Sequence, residues 1–544
     1  MNTRQLQTDK NQKLYHALLG ILLVCALAMM MLLSYWACKY SYYGAVDGRT
    51  RGVLVGDKTW AHIAVFLAAS LCAMGIDKVL MKKDKSQQEK ICLCTLIVTS
   101  VIAFILGVFY VCKNPYYPVG DQINTTAFAA YCRDGNFSML SIGGYVGMYQ
   151  QQKGLAILYE ILFTLFGDFN YRPAKILHVV WWILTILAGY GFLKLNTDRP
   201  VFRMLYCVMM LGCFPLLFYL PYIYGDVLSI SFGIILFYGV AAYEHSGQKR
   251  YIALASFAAG LAVLARKNTW IVLVAVAVYV LLVSLRKKKV RYLMAGTAIL
   301  LTATLSVKAV DVIYEVRSGY PSGVGIPSIL WVAMGLQETE GRAGVYNRYQ
   351  QATFTDYDCQ QELAAQQGKE YIRERLEEFS QDPGMAFNFF KNKVEGQWIE
   401  PMYAALESTE SFEEGAELSP VLESLYYGEL GRTIWKLTNY YQSILYLAGL
   451  MALVMLGILW WKKKEVPISL WLPWIAVFGG FLFSILWEAK SRYVFPYCVF
   501  MILYAPEGLY QTGLLLCKLP KLRKFKKSGH TQDKGEEASL RETA

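Results

Sequence analysis

Charge is the scarcest commodity in this sequence. Only 17% of its 544 residues are Asp, Glu, Lys or Arg, against 55% apolar, and mean hydropathy is +0.32. A soluble domain carries roughly 25% charged residues, and a chain this poor in charge cannot cover its apolar surface in water. Cytosolic multidomain enzymes, disordered tails and disulfide miniproteins are excluded; an all-α polytopic membrane protein remains. Zinc-type cysteine spacing is missing too. Most of the 12 cysteines (Cys25, Cys72, Cys92, Cys94, Cys207, Cys213 and Cys498 among them) fall inside apolar runs, where they read as small hydrophobes. There is no glycine-rich phosphate loop and no Asp-x-Asp motif, so nothing marks a nucleotide-sugar site. No internal repeat or long central loop suggests the two halves of a twelve-span transporter.

What is present is a series of apolar runs, each near the roughly 20 residues needed to cross about 30 Å of hydrocarbon. They start at Leu14, Trp60, Ile91, Ala174, Arg203, Val227, Tyr251, Thr269, Tyr292, Tyr441, Pro467 and Tyr493, predicting about twelve spans. The run from Leu14 is long and lacks a small-residue cleavage site, so it reads as a retained helix rather than a signal peptide. Lys and Arg collect in Lys78–Lys90, Lys194–Arg203, Lys249–Arg250, Arg286–Arg291, Lys462–Lys464 and Lys518–Lys527. If these blocks face the cytoplasm, so do both termini. Parity then requires the short run Leu155–Gly167 to be an embedded or interfacial helix, which leaves Asp121 and Asp226 on one outer face.

The chain divides accordingly into a two-helix segment (1–90), a membrane core (91–310), a mainly helical extracytoplasmic insertion (311–440), C-terminal spans (441–517) and a basic, then polar, cytoplasmic tail (518–544). The insertion holds roughly twenty acidic and ten basic residues in a chain whose net charge is +12, as expected of an outer segment. Helical spacing over Asp356–Phe390 is broken at Asp382-Pro383, and Ser411–Glu417 reads as an acidic loop.

Chemistry-bearing residues cluster at the predicted outer turns. Asp121 ends Asn114-Pro115-Tyr116-Tyr117-Pro118-Val119-Gly120-Asp121, and Asp226 ends Pro221-Tyr222-Ile223-Tyr224-Gly225-Asp226. Each carboxylate is placed to work on a hydroxyl at the interface, to share a divalent cation with the other, or simply to cap the helix that follows. Lys153 follows three glutamines and opens the short apolar helix; it suits a lipid phosphate, or ordinary snorkelling. Arg266-Lys267-Asn268 interrupts an apolar stretch on the outer side, where basic residues call for an anionic partner. The turn Trp487-Glu488-Ala489-Lys490-Ser491-Arg492-Tyr493 adds a forked phosphate donor, Arg492, which could equally pair with Glu488 one helical turn away.

In their order, these motifs resemble the C-type (GT-C) membrane glycosyltransferases, in particular the glycosyltransferase family 39-like branch of protein O-mannosyltransferases and lipid A aminoarabinose transferases. The matching positions are Asp121 in the first outer loop, Lys153 to Gly167 followed by Arg172, Asp226 at the start of a later span, Arg266, and the late Arg492-Tyr493-x-x-Pro496. The likeness spans residues 91–310 and about 440–513. The helices at Leu14 and Trp60 are additional to that core, and Gly154 stands where the family commonly has proline. The segment Pro327–Leu336 is similar to one in Gram-positive members, which implies a Gram-positive plasma membrane. The resemblance implies an inverting transfer from a polyprenyl-phosphate sugar to an outer acceptor. It casts Asp121 as general base, Asp226 as positioning the acceptor or base, and Lys153, Arg172, Arg266, Arg492 and Tyr493 as binding the lipid phosphate. A divalent cation is possible, and nucleic acid is not called for. A flippase for polyprenyl-linked glycans is the leading alternative. A polysaccharide polymerase or ligase is the other, disfavoured because residues 311–440 contain no histidine.

Overall fold

The computed structural model describes residues 3–43, 52–287 and 289–518, with side chains from residue 11 onward; most of the predicted tail lies outside them. It is a helical bundle, and two short hairpins are the only sheets among the described residues. Nine helices among the described residues are long and apolar enough to cross a membrane, with bounds Asn11–Lys39, Thr59–Leu80, Lys85–Lys113, Arg172–Asn196, Asp226–Ser246, Lys267–Lys287, Val290–Ser318, Glu429–Trp461 and Ile468–Leu486. An all-α, multi-pass membrane protein in a lipid bilayer is thus the architecture, as its composition dictates.

Three of the twelve predicted spans come out differently. The run from Arg203 is split into Pro200–Gly212 and Phe214–Phe218; Pro215, in the first turn of the second piece, supplies no N–H to continue the first. The run from Tyr251 is the 17-residue helix Lys249–Ala265. That from Tyr493 is the 11-residue helix Ser491–Met501, which carries Pro496 and gives way to a turn before a further helix at 505–518. The predicted short helix is Lys153–Phe166, 14 residues.

The helix Asp226–Ser246 is the centre of the bundle, buried along most of its length against Arg172–Asn196 and Lys249–Ala265. The additional N-terminal pair packs elsewhere, on Glu429–Trp461: His62 Nδ1 lies 2.7 Å from Ser443 Oγ, and Asn439 Nδ2 donates to Asp57 Oδ2 at 3.1 Å. Between these two helices, strands Tyr40–Tyr43 and Val53–Gly56 pair antiparallel with Tyr40 opposite Gly56.

Basic blocks gather at one end of the bundle. Arg199 pairs with Asp77 at 3.0 Å, Lys194 and Arg203 with Glu89 at 3.2 and 2.5 Å, and Lys287 with Glu244 at 2.7 Å. The opposite end carries the mainly helical insertion, whose limits shift inward from the expected 311–440. Val290–Ser318 and Glu429–Trp461 run on as unbroken helices, so only residues 319–428 stand apart. Its helices Gln361–Gln381 and Pro383–Trp398 break where predicted; Asp382 accepts the Met385 N–H at 2.9 Å and Pro383 occupies the first turn. Backbone hydrogen bonds stitch the insertion to the rest of the chain at several places. Tyr42 N–H donates to Ile399 O at 2.9 Å, and the acidic loop pairs with the first turn through Tyr117 N–H to Ser411 O and Glu413 N–H to Pro115 O.

Candidate functional site

Neither predicted aspartate caps its helix. Gly120 and Gly225 hold the cap positions without any side-chain cap bond, and Asp121 and Asp226 are the first helical residues. There each carboxylate still benefits from the positive end of the helix dipole, while its oxygens are free for other partners. The two partner sets differ sharply.

Asp226 is 2% exposed and faces two arginines: Arg266 Nη1 lies 2.6 Å from Oδ2, and Arg492 Nε lies 3.9 Å from Oδ1. Packing sets this contact. A Cβ on Gly225 would sit 2.0 Å from Ala265 O and 2.8 Å from Arg266 Cγ, so only glycine lets the start of the Asp226 helix close onto the Arg266 turn. Tyrosines complete the enclosure. The Arg266 guanidinium stands 5.1 and 5.5 Å from the Tyr224 and Tyr493 rings, and Arg492 stands 5.2 Å from Tyr222, whose hydroxyl it also meets. Arg266, Arg492 and Tyr493 are therefore brought together as expected, but both cations already have a counter-ion. The expected Glu488–Arg492 pair does not form: Arg492 turns to Asp226, and Glu488 accepts from the Tyr493 hydroxyl at 3.4 Å.

Asp121, by contrast, is exposed, and among the described residues its carboxylate accepts a hydrogen bond from Tyr145 Oη alone, at 2.9 Å. Burial, with the Asp121 charge among its neighbours, raises the Tyr145 phenol well above its ordinary range, so this hydroxyl remains a donor. The Asp121 helix is tied to the Asp226 turn by Gln122, whose Nε2 donates to Tyr222 Oη. Its charge reaches Tyr224, Tyr493 and Glu488, and Glu488, buried at the turn, is pushed up to about 7.

Lys153 is 2% exposed and is likewise paired, with Asp311 at 2.5 Å, Gln150 Oε1 at 2.9 Å and Ser322 Oγ at 2.8 Å. Gly154 has a packing explanation. A Cβ there would lie 2.6 Å from Leu264 O, so the helix opened by Lys153 rests directly on the backbone of Lys249–Ala265. Arg172 does not join the site; its side chain is exposed at the start of its own helix. Lys175, one turn on, is the buried cation of that helix, donating to Tyr116 O at 2.8 Å and holding the first turn in place.

No family model, curated protein or solved structure matches this chain. The site therefore rests on its own geometry. Besides a crevice of about 20 Å3 against Asp226, Arg266 and Arg492 themselves, larger spaces adjoin the cluster. A cavity of about 290 Å3 has Lys153, Asp311 and Lys267 set among Val263, Leu264, Trp270, Val307 and Val310. Gln151 and Lys267 also line a neighbouring cleft of about 90 Å3, shared with Arg266, Tyr224 and Tyr493. A third space, about 720 Å3, opens beyond the Glu488–Ser491 turn toward the insertion.

Among the described residues, no group of three or more His, Cys, Asp or Glu side chains is placed to hold a metal ion. With Asp226 committed to two arginines, the two aspartates do not make the shared divalent-cation site considered from sequence. Sequence reasoning missed Asp311, Tyr145, Gln122 and Gln152. Gln152 Nε2 donates to Tyr224 Oη at 2.5 Å, and the Gln150-Gln151-Gln152 run preceding a lysine was the available signal.

Proposed function

We propose that this protein is an integral-membrane glycosyltransferase that moves a sugar from a polyprenyl-phosphate donor to an extracytoplasmic acceptor hydroxyl with inversion. One adjacency supports it. An amphiphilic cavity with two lysines among apolar walls leads, past Lys267, to an arginine–tyrosine cleft within electrostatic reach of an exposed carboxylate that caps nothing. A lipid with an anionic head fits the first space; a phosphate fits beside Arg266 and Lys267.

In the proposed reaction the acceptor oxygen attacks the anomeric carbon from the face opposite the phosphate. The carbon–oxygen bond to phosphate breaks and its electron pair stays on the departing polyprenyl phosphate. The acceptor proton passes to Asp121. Arg266, Lys267 and Lys153 stabilise the charge that develops on the leaving group. Asp226 becomes a positioning residue: it fixes Arg266 and Arg492 in a buried arrangement that neither arginine would hold alone. Arg172 has no part. The basic blocks, gathered at the far end, support a reading with both termini at the cytoplasmic side of the plasma membrane and the site at its outer face; the likeness of Pro327–Leu336 to a Gram-positive segment is what supports a bacterial, Gram-positive source.

The test uses protein purified in detergent and a panel of radiolabelled polyprenyl-phosphate sugars, following release of polyprenyl phosphate. Wild type turns over at least one donor, and Asp121→Asn slows release by about 10²–10⁴-fold. Full release by Asp121→Asn overturns the base assignment. Failure of the wild type on every donor overturns the glycosyltransferase itself.

A further inference from the structure

The space of about 720 Å3 beyond the Glu488–Ser491 turn shares no lining residue with the cavity around Lys153 and Lys267. It falls in the roughly 300–1,000 Å3 range of small-molecule pockets. Its walls come from the insertion, from the 488–491 turn and from the N-terminal hairpin through Tyr42, Gly52 and Leu54, and Glu488, whose carboxylate accepts from Tyr493, belongs both to this wall and to the edge of the arginine cluster.

Three features specify what it takes. First, Gln397 is 1% exposed, and although its Nε2 donates to Lys393 O at 3.0 Å and Ser484 O at 3.1 Å, its Oε1 has no hydrogen-bond partner. A buried acceptor left open in a cavity wall is costly unless a ligand donates to it. Second, Tyr346 lines the space with 48% of its surface exposed, offering a flat apolar face with a polar rim. Third, side chains of both signs line it: Arg342 and Lys490 beside Glu340, Glu395 and Glu400, with Glu407 and Glu488 held up at about 7 and Lys393 held down at about 7 by burial. Neither a phosphate nor a metal cation meets a wall of one opposite sign here; a ring bearing several hydroxyls finds donors and acceptors side by side.

We infer that this cavity is the acceptor subsite and that its occupant is a neutral saccharide, its rings lying on Tyr346 and its hydroxyls meeting Gln397, Glu407 and Asn392. This rests on the glycosyltransferase assignment and names the acceptor class for it. The cavity's shared wall at Glu488 leads the end of such a chain toward Asp121.

Binding is tested without turnover. Full-length protein in detergent is titrated with maltotriose, cellotriose and tri-N-acetylchitotriose, followed by saturation-transfer NMR and calorimetry. At least one trisaccharide binds the wild type. Asn392→Trp, at an exposed position where the indole would fill the space, weakens that binding at least tenfold, and Tyr346→Ala, also at an exposed position, weakens it severalfold; thermal unfolding of both variants stays at the wild-type midpoint. If none of the three binds wild type, or if Asn392→Trp binds as well as wild type, the saccharide subsite is wrong. The donor-release assay on wild type reports separately on the transferase, so the two failures are told apart.

Discussion

Two cavities flank one arginine cluster, and they are made of opposite materials. On one side, the space around Lys153 and Lys267 is apolar with two cations; on the other, the space beyond Glu488 is polar, is lined by side chains of both signs and carries an exposed tyrosine face. The same contrast separates the two aspartates between them. Asp226 is sealed against Arg266 and Arg492, whereas Asp121 stands exposed with one phenol for company. Burial teaches the division of labour: a carboxylate locked between buried cations serves as structure, and an exposed one with a single neutral donor is available for proton transfer.

The largest effect is expected from breaking the buried side. Asp226→Ala leaves Arg266 and Arg492 without their counter-ion and lowers stability by about 3–5 kcal/mol. Asp121→Asn, at an exposed position that keeps an acceptor for Tyr145, changes stability by no more than about 0.5 kcal/mol. Thermal unfolding of the two variants in the same detergent checks this. Equal destabilisation would erase the distinction and make Asp121 a structural residue.

The next test sharpens the lipid side. Lys153 is the residue whose charge is already engaged, by Asp311. Lys153→Gln removes a charge-assisted contact and weakens binding of polyprenyl phosphate by about 1.5–3 kcal/mol. Asp311→Asn acts in the opposite direction, because it releases Lys153 from its protein partner and tightens the same binding. A flotation or calorimetric titration with polyprenyl phosphate measures both. If the two variants move affinity the same way, Lys153 is held for packing alone. Gly154→Ala is expected to cost about 1–3 kcal/mol of stability, since its methyl would strike the Leu264 carbonyl and the small shift needed displaces Lys153 with it.

How much of this was legible in the sequence follows from what each signal depends on. Long apolar runs depend on composition alone, and nine of the twelve predicted spans stand as helices of spanning length. Of the remaining three, two turn on local backbone chemistry, where Pro215 and Pro496 interrupt runs that hydropathy averages over, and the third, Lys249–Ala265, is one residue short of the 18 taken as spanning length. The turns between the helices were legible because Pro, Gly and Tyr punctuate them, and those carrying Asp226, Arg266 and Arg492 do meet. Pairing was not legible. Nothing in the segment around Lys153 announces Asp311, 158 positions later in the numbering, and the local Glu488–Arg492 spacing pointed to a pair that a more buried carboxylate, Asp226, takes instead. Ion pairing in a bundle is decided by which helices pack, and one sequence does not contain that choice in readable form.

The smallest effect concerns the polar side and is read as a slope. Glu488 is held up at about 7 by burial, above its ordinary 4.5, so between those values the folded protein binds a proton that the unfolded chain has released. Stability contributed by this group is therefore complete below about pH 4.5, declines as pH rises, and stops declining above about 7. Glu400, pushed up to about 8 by burial beside Glu407, acts in the same sense, whereas Lys393, held down at about 7, is neutral in the fold while still protonated in the unfolded chain and adds stability as pH rises beyond that point. Together they place the stability minimum near pH 7–8. Glu488→Gln removes one contribution, flattening the decline between pH 5 and 7 by up to about 1.4 kcal/mol per pH unit and raising the unfolding midpoint relative to wild type at pH 7.5. Melting curves that run parallel for the two proteins across this interval would show that Glu488 is already ionised in the fold, and with it that the cavity wall is anionic and suited to a cation rather than to a neutral ring.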